Sequence, residues 1–520
     1  MDKTVWSRLA AFVCCISTFS MHSESFSWQH IQQQAQHAVV QVINHSVQID
    51  DLAPFRRGGA EGRGSGFIIE GGYVVTNFHV IQNCIRLFIQ MPLIFGNQRF
   101  EVSLVGSSPD SDLALLKISE EDQEKIREKY GILPYLELGN SSLIERSDEL
   151  LGIGFPLGQS SPKSATGVVS GFQSITLSSG SIYIIQVTKP SNPGNSGGPL
   201  FNTLGQVVGI DVAGPGVATD NIAYAIPIND FAIIKDALLR GETVHKTYLG
   251  ASYCPARDQE IAQLLHNPTP AGCYITDVLS TGLFYDWGLQ AGDMLYEING
   301  LTIDPYGCID HLEHNDRKPV GEYILGFPLG TIFHLVWYRH GERIEKDASL
   351  LFKPQPKIAW RPFDYAVDYE IIGGLLLQEL SLNIIEALSK APAHIQANIY
   401  PYQVNEAKRN ESVIIVTQIL AGSLAAESLS IGTGEIITHI NGSAVGTLED
   451  VRKALLEDTG EFISIENNKG DLIAFKKTDL YAHEPRIAGY FGYQITPGMN
   501  ALLYKKMLKK RKNVYENAGK

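Results

Sequence analysis

The sequence predicts a mainly β protein of several domains, and three observations lead there. Its length, 520 residues, corresponds to about three domains at roughly 150 residues each. Between Ala38 and Asn229, short β-rich runs alternate with turn residues: Val39-Val40-Gln41-Val42-Ile43, Gly66-Phe67-Ile68-Ile69, Tyr73-Val74-Val75-Thr76, Tyr183-Ile184-Ile185-Gln186-Val187, Gln206-Val207-Val208-Gly209-Ile210 and Ile222-Ala223-Tyr224-Ala225-Ile226. That spacing argues for antiparallel sandwiches or barrels. A faint repeat follows. Ile275-Thr276-Asp277-Val278-Leu279 with Gly292-Asp293-Met294-Leu295-Tyr296-Glu297-Ile298-Asn299-Gly300 recurs as Val416-Thr417-Gln418-Ile419-Leu420 with Gly434-Glu435-Ile436-Ile437-Thr438-His439-Ile440-Asn441-Gly442. An Asn-Gly hairpin turn closes an alternating strand in each copy, which reads as two homologous modules.

Lys3 and Arg8 precede an apolar stretch from Leu9 to about Phe19, and small and polar residues follow through Ser25. This is the layout of a secretory signal over residues 1–25, and the apolar stretch falls well short of the roughly 20 residues that span a bilayer. The stretch from Arg57 to Gly64 is glycine-rich but lacks the lysine of a phosphate loop, and reads as a surface loop. Asp230 to Leu239 has helical periodicity, Gly241-Glu242-Thr243 reads as a linker, and a domain boundary falls near residue 245.

Composition narrows the function classes. With 42 basic against 56 acidic residues the formal charge is -14, which argues against a protein whose affinity rests on neutralising nucleic-acid phosphates. Beyond the signal only Cys84, Cys254, Cys273 and Cys308 remain, without metal-ligand spacing, and the spacing leaves open whether Cys254 and Cys273 are bridged or free. His311 and His314 flank Glu313 without a third ligand at defined spacing, so no metal and no cofactor is expected.

The chemistry centres on Ser191-Asn192-Pro193-Gly194-Asn195-Ser196-Gly197-Gly198-Pro199-Leu200. A serine among glycines can project from a sharp turn while backbone N–H groups converge on a developing oxyanion. Taken alone, the run reads equally as a turn between strands. A nucleophilic serine needs a base, and the base needs an acid to hold its tautomer. His79 ends the run Tyr73 to Ile81, and Asp112 stands at the entry to the apolar run Leu113-Ala114-Leu115-Leu116. Asp110, two residues earlier, is the competing acid.

The phrases Thr76-Asn77-Phe78-His79-Val80-Ile81, Ser111-Asp112-Leu113-Ala114-Leu115-Leu116-Lys117 and Asn192-Pro193-Gly194-Asn195-Ser196-Gly197-Gly198-Pro199-Leu200 resemble the HtrA/Deg family of trypsin-like serine proteases. The resemblance covers residues of roughly 35 to 240, and the tail modules resemble the PDZ domains that follow the protease there. It implies a trypsin-like double β-barrel protease domain (26–245), a first PDZ-like α+β domain (246–355), a divergent second one (356–485) and a basic tail (486–520). It further implies an exported, most often periplasmic, ATP-independent endopeptidase acting on unfolded or damaged polypeptides. His79 would be the general base, Asp112 its orienting acid and Ser196 the nucleophile, with N–H groups of Gly194, Asn195 and Ser196 as the oxyanion hole. A scaffold or chaperone whose triad rarely assembles is the alternative.

Other family features carry over less evenly. Leu249, Gly250 and Ala251 resemble the PDZ loop that captures a peptide C-terminus, whereas the stretch from Ile371 to Leu380 resembles a divergent second PDZ domain with a role in assembly. Trimers or multiples of them are implied, with Phe26 and Trp28 as candidate contacts. One departure stands out: Thr188-Lys189-Pro190-Ser191 replaces the family's Asp-Ala-Ala-Ile ahead of the nucleophile, and Pro190 stands where a preference for basic P1 residues would call for Asp. Resemblance points to a small aliphatic P1 residue, and Asp211 to Asn221 is read as another wall of the pocket, with Asp211 either a pocket charge or a solvated turn carboxylate.

Overall fold

In the computed structural model, the described residues are 27–177, 180–212, 221–266, 268, 271–311, 316–361, 367–457 and 460–506. The signal stretch, Phe26, most of the loop after Asp211, Glu313, His314 and the basic cluster Lys509 to Lys512 lie outside them. No helix among the described residues is long and apolar enough to cross a membrane.

Two six-stranded closed barrels form first. Strands β1 (Val39–Ile49), β2 (Arg57–Ile69), β3 (Tyr73–Thr76), β4 (Cys84–Gln90), β5 (Arg99–Ser108) and β6 (Leu113–Ile118) close in the order β1-β2-β3-β6-β5-β4. Strands β7 (Glu149–Gly154), β8 (Lys163–Leu177), β9 (Gly180–Thr188), β10 (Pro199–Phe201), β11 (Val207–Val212) and β12 (Ala223–Pro227) close in the order β10-β11-β12-β9-β8-β7. The apolar runs lack polar alternation because both strand faces are covered. Val40, Val42, Ile68, Val74, Ala114 and Leu116 fill the first barrel. Their neighbours Val39, Phe67, Val75 and Leu115 face the second barrel's Leu151, Ile153, Phe155, Phe201 and Ile210 in a shared inter-barrel core. Period-two side-chain alternation thus serves two cores instead of a core and solvent.

The stretch from Arg57 to Gly64 is not a loop. It is the outer half of β2, in register with β1 from Arg57 opposite Ile49 to Gly64 opposite Val42. Glycine spacing hid it, because this end projects beyond the barrel and offers little buried side chain to set a pattern. The helix expected at Asp230 begins slightly earlier, at Ile228, and packs Phe231 and Leu238 into the inter-barrel core.

The repeated modules follow. The first is a sheet running from Ala251–Pro255 at one edge through Cys273–Val278, Met294–Ile298 and Ile332–Arg339 to Glu342–Ser349. The second runs Glu370–Ile372, Leu375–Glu379, Ile414–Ile419, Ile436–Ile440, Phe462–Asn467, Leu472–Lys476. In both, the Asn-Gly turn has positive φ at both central residues, Asn299 (54°) and Gly300 (75°), Asn441 (54°) and Gly442 (80°), as a tight I′ hairpin requires.

Both modules touch the barrels. In the first, Asp316 pairs with Arg146 at 2.7 Å and accepts from Phe172 N on β8 at 3.2 Å. In the second, Tyr369 and Tyr493 pack on Phe55 from the β1–β2 connection, and Gln378 Nε2 donates to Asp51 O at 2.8 Å. Cys254 lies opposite Tyr274 and Cys273 opposite Pro255. Adjacent strand positions face opposite sides of a sheet, so these two thiols point apart, and both are free.

Candidate active site

His79 is the second residue of a single helical turn, Phe78–Ile81, that follows β3. Its acid arrives from the connection between β5 and β6. The turn Pro109–Ser111 ends at Asp112 in the left-handed region (φ 52°), which swings the carboxylate back toward the helix. Asp112 then holds His79 twice: Oδ1 accepts from the His79 backbone N–H at 2.8 Å and Oδ2 from Nδ1 at 2.8 Å. The side chain of Asp112 is 5 % exposed, so this charge is little screened. Asn77 Nδ2 donates to Asp112 O at 3.0 Å and fixes the same backbone. Asp110, the competing acid, turns elsewhere: its Oδ2 meets His245 Nδ1 at 3.2 Å and Lys246 N at 2.9 Å.

With Nδ1 committed to Asp112, Nε2 is left as the basic nitrogen of the ring. Burial pushes the His79 pKa down, but the charge and hydrogen bond of Asp112 outweigh it, and the net shift is upward from the ordinary value near 6.5. The carboxylate therefore favours the imidazolium that a proton acceptor becomes.

Ser196 is buried where the barrels meet. Its carbonyl accepts from Ser65 N on β2 at 2.8 Å, and the following Gly197 N donates to Asp211 O on β11 at 2.8 Å. Two glycines here are obligatory. A Cβ on Gly194 (φ 102°) would sit 2.4 Å from Phe155 O, and one on Gly197 (φ 87°) would sit 2.1 Å from Ser65 O. No hydrogen bond joins the Ser196 hydroxyl to His79 among the described residues, an arrangement common before substrate tightens a site.

The three N–H groups considered for the oxyanion hole divide. Asn195 N donates within the turn to Asn192 O at 3.1 Å, whereas Gly194 N and Ser196 N meet no acceptor among the described residues. Pro193 O accepts from Leu157 N at 2.6 Å. In a trans peptide the carbonyl and the N–H point oppositely, so this bond turns the Gly194 N–H the other way.

The family of trypsin-like peptidase domains matches residues 64–210, and that of PDZ domains matches residues 359–496. The chain belongs to the HtrA/Deg family of trypsin-like serine proteases with PDZ domains. It is similar to a protein named "Probable periplasmic serine endoprotease DegP-like" from Chlamydia trachomatis, 28 % identical over 419 residues, 79 % of this chain and 73 % of that one. A protein of the same name from Pseudomonas fluorescens is 25 % identical over 428 residues, 80 % of this chain and 79 % of that one. Among solved structures, the HtrA-type protease AlgW with decapeptide aligns over 64 % of this chain and 100 % of its own, at 24 % identity and a TM-score of 0.47. This HtrA/Deg protein is a serine endopeptidase exported to the periplasm.

The stretch Leu249-Gly250-Ala251 lies at the open edge of the first module's sheet. Gly250 has φ 64°, and its carbonyl accepts from Leu279 N at 2.8 Å. The N–H groups of Leu249 and Gly250 meet no acceptor among the described residues. The second module is closed at the matching place. Strand Leu375–Glu379 carries Glu370–Ile372 on its outer edge, and the buried Glu484 carboxylate accepts from Tyr493 Oη at 2.7 Å and from the backbone of Gly373.

Sequence reasoning missed two contributors and misread a third. Ser65 was hidden because a serine between two glycines reads as turn, although that setting is itself the signal for close backbone approach. Leu157 acts through its backbone. Asp211 is neither a solvated turn carboxylate nor an open pocket charge: it is buried and paired with Lys189.

Proposed function

We propose that this HtrA/Deg endopeptidase cleaves unfolded or damaged polypeptides as part of periplasmic protein quality control, without ATP, through an acyl-enzyme on Ser196. His79 takes the Ser196 proton at Nε2 as the hydroxyl oxygen attacks the scissile carbonyl, and Asp112 stabilises the imidazolium. The N–H groups of Gly194 and Ser196 receive the oxyanion. The C–N bond then breaks as His79 returns the proton to the leaving amine, and a water repeats the sequence to release the acid. The observation that carries this reading is the double grip of Asp112 on His79, by backbone N–H and Nδ1, which a peptide-binding scaffold has no use for.

Peptide C-termini are proposed to bind the Leu249-Gly250-Ala251 loop, adding as a strand beside Ala251–Pro255. The second module is proposed to serve assembly, its own edge being covered by Glu370–Ile372. The domain limits 26–245 and 246–355 and a homo-oligomer built on trimers belong to the same proposal, as does a second module from 356 that reaches past the expected limit of 485, supported by Ile487, Tyr493, Met499 and Leu502 in its cores; light scattering on the purified protein tests the oligomer. The activity is tested with unfolded casein. Wild type is expected to degrade it and Ser196→Ala to lose the rate by several orders of magnitude, while undiminished cleavage by that variant removes the assignment.

A further inference from the structure

A buried ion pair that the acyl transfer does not use lies beneath the nucleophile turn. Lys189, the first residue after β9, is 2 % exposed, and its ammonium meets the carboxylate of Asp211, 4 % exposed. The second carboxylate oxygen of Asp211 has no hydrogen-bond partner among the described residues. The lysine stem runs past glycines on two adjacent strands. A Cβ on Gly152 would stand 3.2 Å from Lys189 Cε, and one on Gly167 would stand 2.7 Å from Lys189 Cβ. β7 and β8 therefore leave room for this one side chain.

Asp211 also touches the far end of the turn. Its carbonyl accepts from Gly197 N and its N–H donates to Gly198 O, both at 2.8 Å. One residue thus holds the segment at both ends, by main chain just after Ser196 and by side chain at Lys189, seven residues before it. Desolvating two ions costs several kcal/mol each, and an apolar pair of similar volume is often equally stable. Stability alone therefore gives no reason for charges here.

We propose that Lys189 and Asp211 are positioning residues for the oxyanion hole: their ion pair closes the base of the turn so that the Gly194 and Ser196 N–H groups converge on one point. The inference rests on Ser196 being the nucleophile. Neither side chain touches substrate; both act through the turn between them.

The test separates placement from packing. The double variant Lys189→Met with Asp211→Leu is expected to keep the wild-type melting temperature to within a few degrees, because a packed apolar pair replaces the ions. Its kcat and its rate of fluorophosphonate labelling are expected to fall about 10- to 100-fold, with KM changed less than about twofold, as displaced oxyanion donors would produce. A wild-type kcat in that variant overturns the proposal. If the double variant fails to fold, Gly152→Ala decides, since it keeps both charges and displaces the lysine by a few tenths of an ångström; a labelling rate reduced about threefold or more supports the proposal and an unchanged one overturns it. Wild-type labelling at Ser196 is the control. Its absence overturns the nucleophile reading and this inference together, whereas labelled wild type beside an equally fast double variant overturns the pair alone.

Discussion

Ser65 Oγ donates to Gly194 O at 2.6 Å and accepts from Phe155 N at 2.9 Å. One hydroxyl of the first barrel thereby fixes a peptide of the nucleophile turn to a strand end of the second. The same residue gives its N–H to Ser196 O and takes Thr76 Oγ1 on its carbonyl at 2.7 Å. The turn is held across the barrel interface at two points one residue to either side of Asn195.

Ser65→Ala would leave Gly194 O and Phe155 N unpaired in a buried place, at a cost of about 1–3 kcal/mol. The expected kinetic result is a kcat reduced about 10- to 100-fold at nearly unchanged KM. Steady-state kinetics on a fluorogenic peptide, with melting temperature measured alongside, check it. A rise in KM with unchanged kcat would show that Ser65 serves substrate binding instead.

The pH dependence follows from His79. Its pKa lies above the ordinary 6.5 because Asp112 outweighs the effect of burial, and only the neutral ring can accept the Ser196 proton. Activity is therefore expected to rise with pH through an inflection above 6.5. Asp112→Asn removes the raising influence, so the inflection should move to lower pH while kcat falls by about 10⁴-fold. Asp110→Asn, whose carboxylate faces His245 and Lys246, should leave the inflection in place. kcat/KM profiles of the three proteins from pH 5 to 9 provide the check.

The peptide site proposed at Leu249-Gly250-Ala251 makes a prediction that needs no change to the loop itself. A peptide with a free C-terminal carboxylate should bind at least about tenfold more tightly than its C-terminally amidated form, because charge-assisted hydrogen bonds to the loop N–H groups are lost. Fluorescence anisotropy on the Ser196→Ala protein measures both without cleavage.

Glu484 ties stability to pH. Burial raises its carboxyl to about 7, against the opposing hydrogen bonds from Tyr493 and Gly373. The folded state then holds this proton more tightly than the unfolded chain, so the contribution is full below the ordinary value of 4.5 and is lost as pH rises through about 7. The loss is on the order of 3 kcal/mol. Between pH 5 and pH 8 the wild-type melting temperature should fall more than that of Glu484→Gln, whose amide does not ionise. Parallel slopes for the two proteins would contradict this.

How much of this was legible in the sequence depends on where each residue's partners lie. His79, Asp112 and Ser196 could be singled out because each sits in a local phrase whose neighbours, an apolar strand or a glycine turn, are themselves part of the requirement. The barrels could be read from apolar runs. Asp112 could be preferred over Asp110 only by resemblance; the left-handed φ at Asp112 that aims the carboxylate at His79 is a three-dimensional fact. Lys189 and Asp211 lie 22 residues apart and look like unrelated charges until β9 and β11 bring them together. The strand that covers the edge of the second PDZ module is local, Glu370–Ile372 folding back on Leu375–Glu379 across Gly373-Gly374, but the contact of Glu484 with Gly373 was invisible for the same reason, since it comes from a helix more than a hundred positions away.

Fluorophosphonate labelling of the purified protein followed by peptide mass mapping identifies the nucleophile itself. Stoichiometric modification at Ser196, abolished in His79→Ala and slowed in Asp112→Asn, is the result expected. Modification of a different serine, or labelling of Ser196 at an undiminished rate without His79, would contradict it.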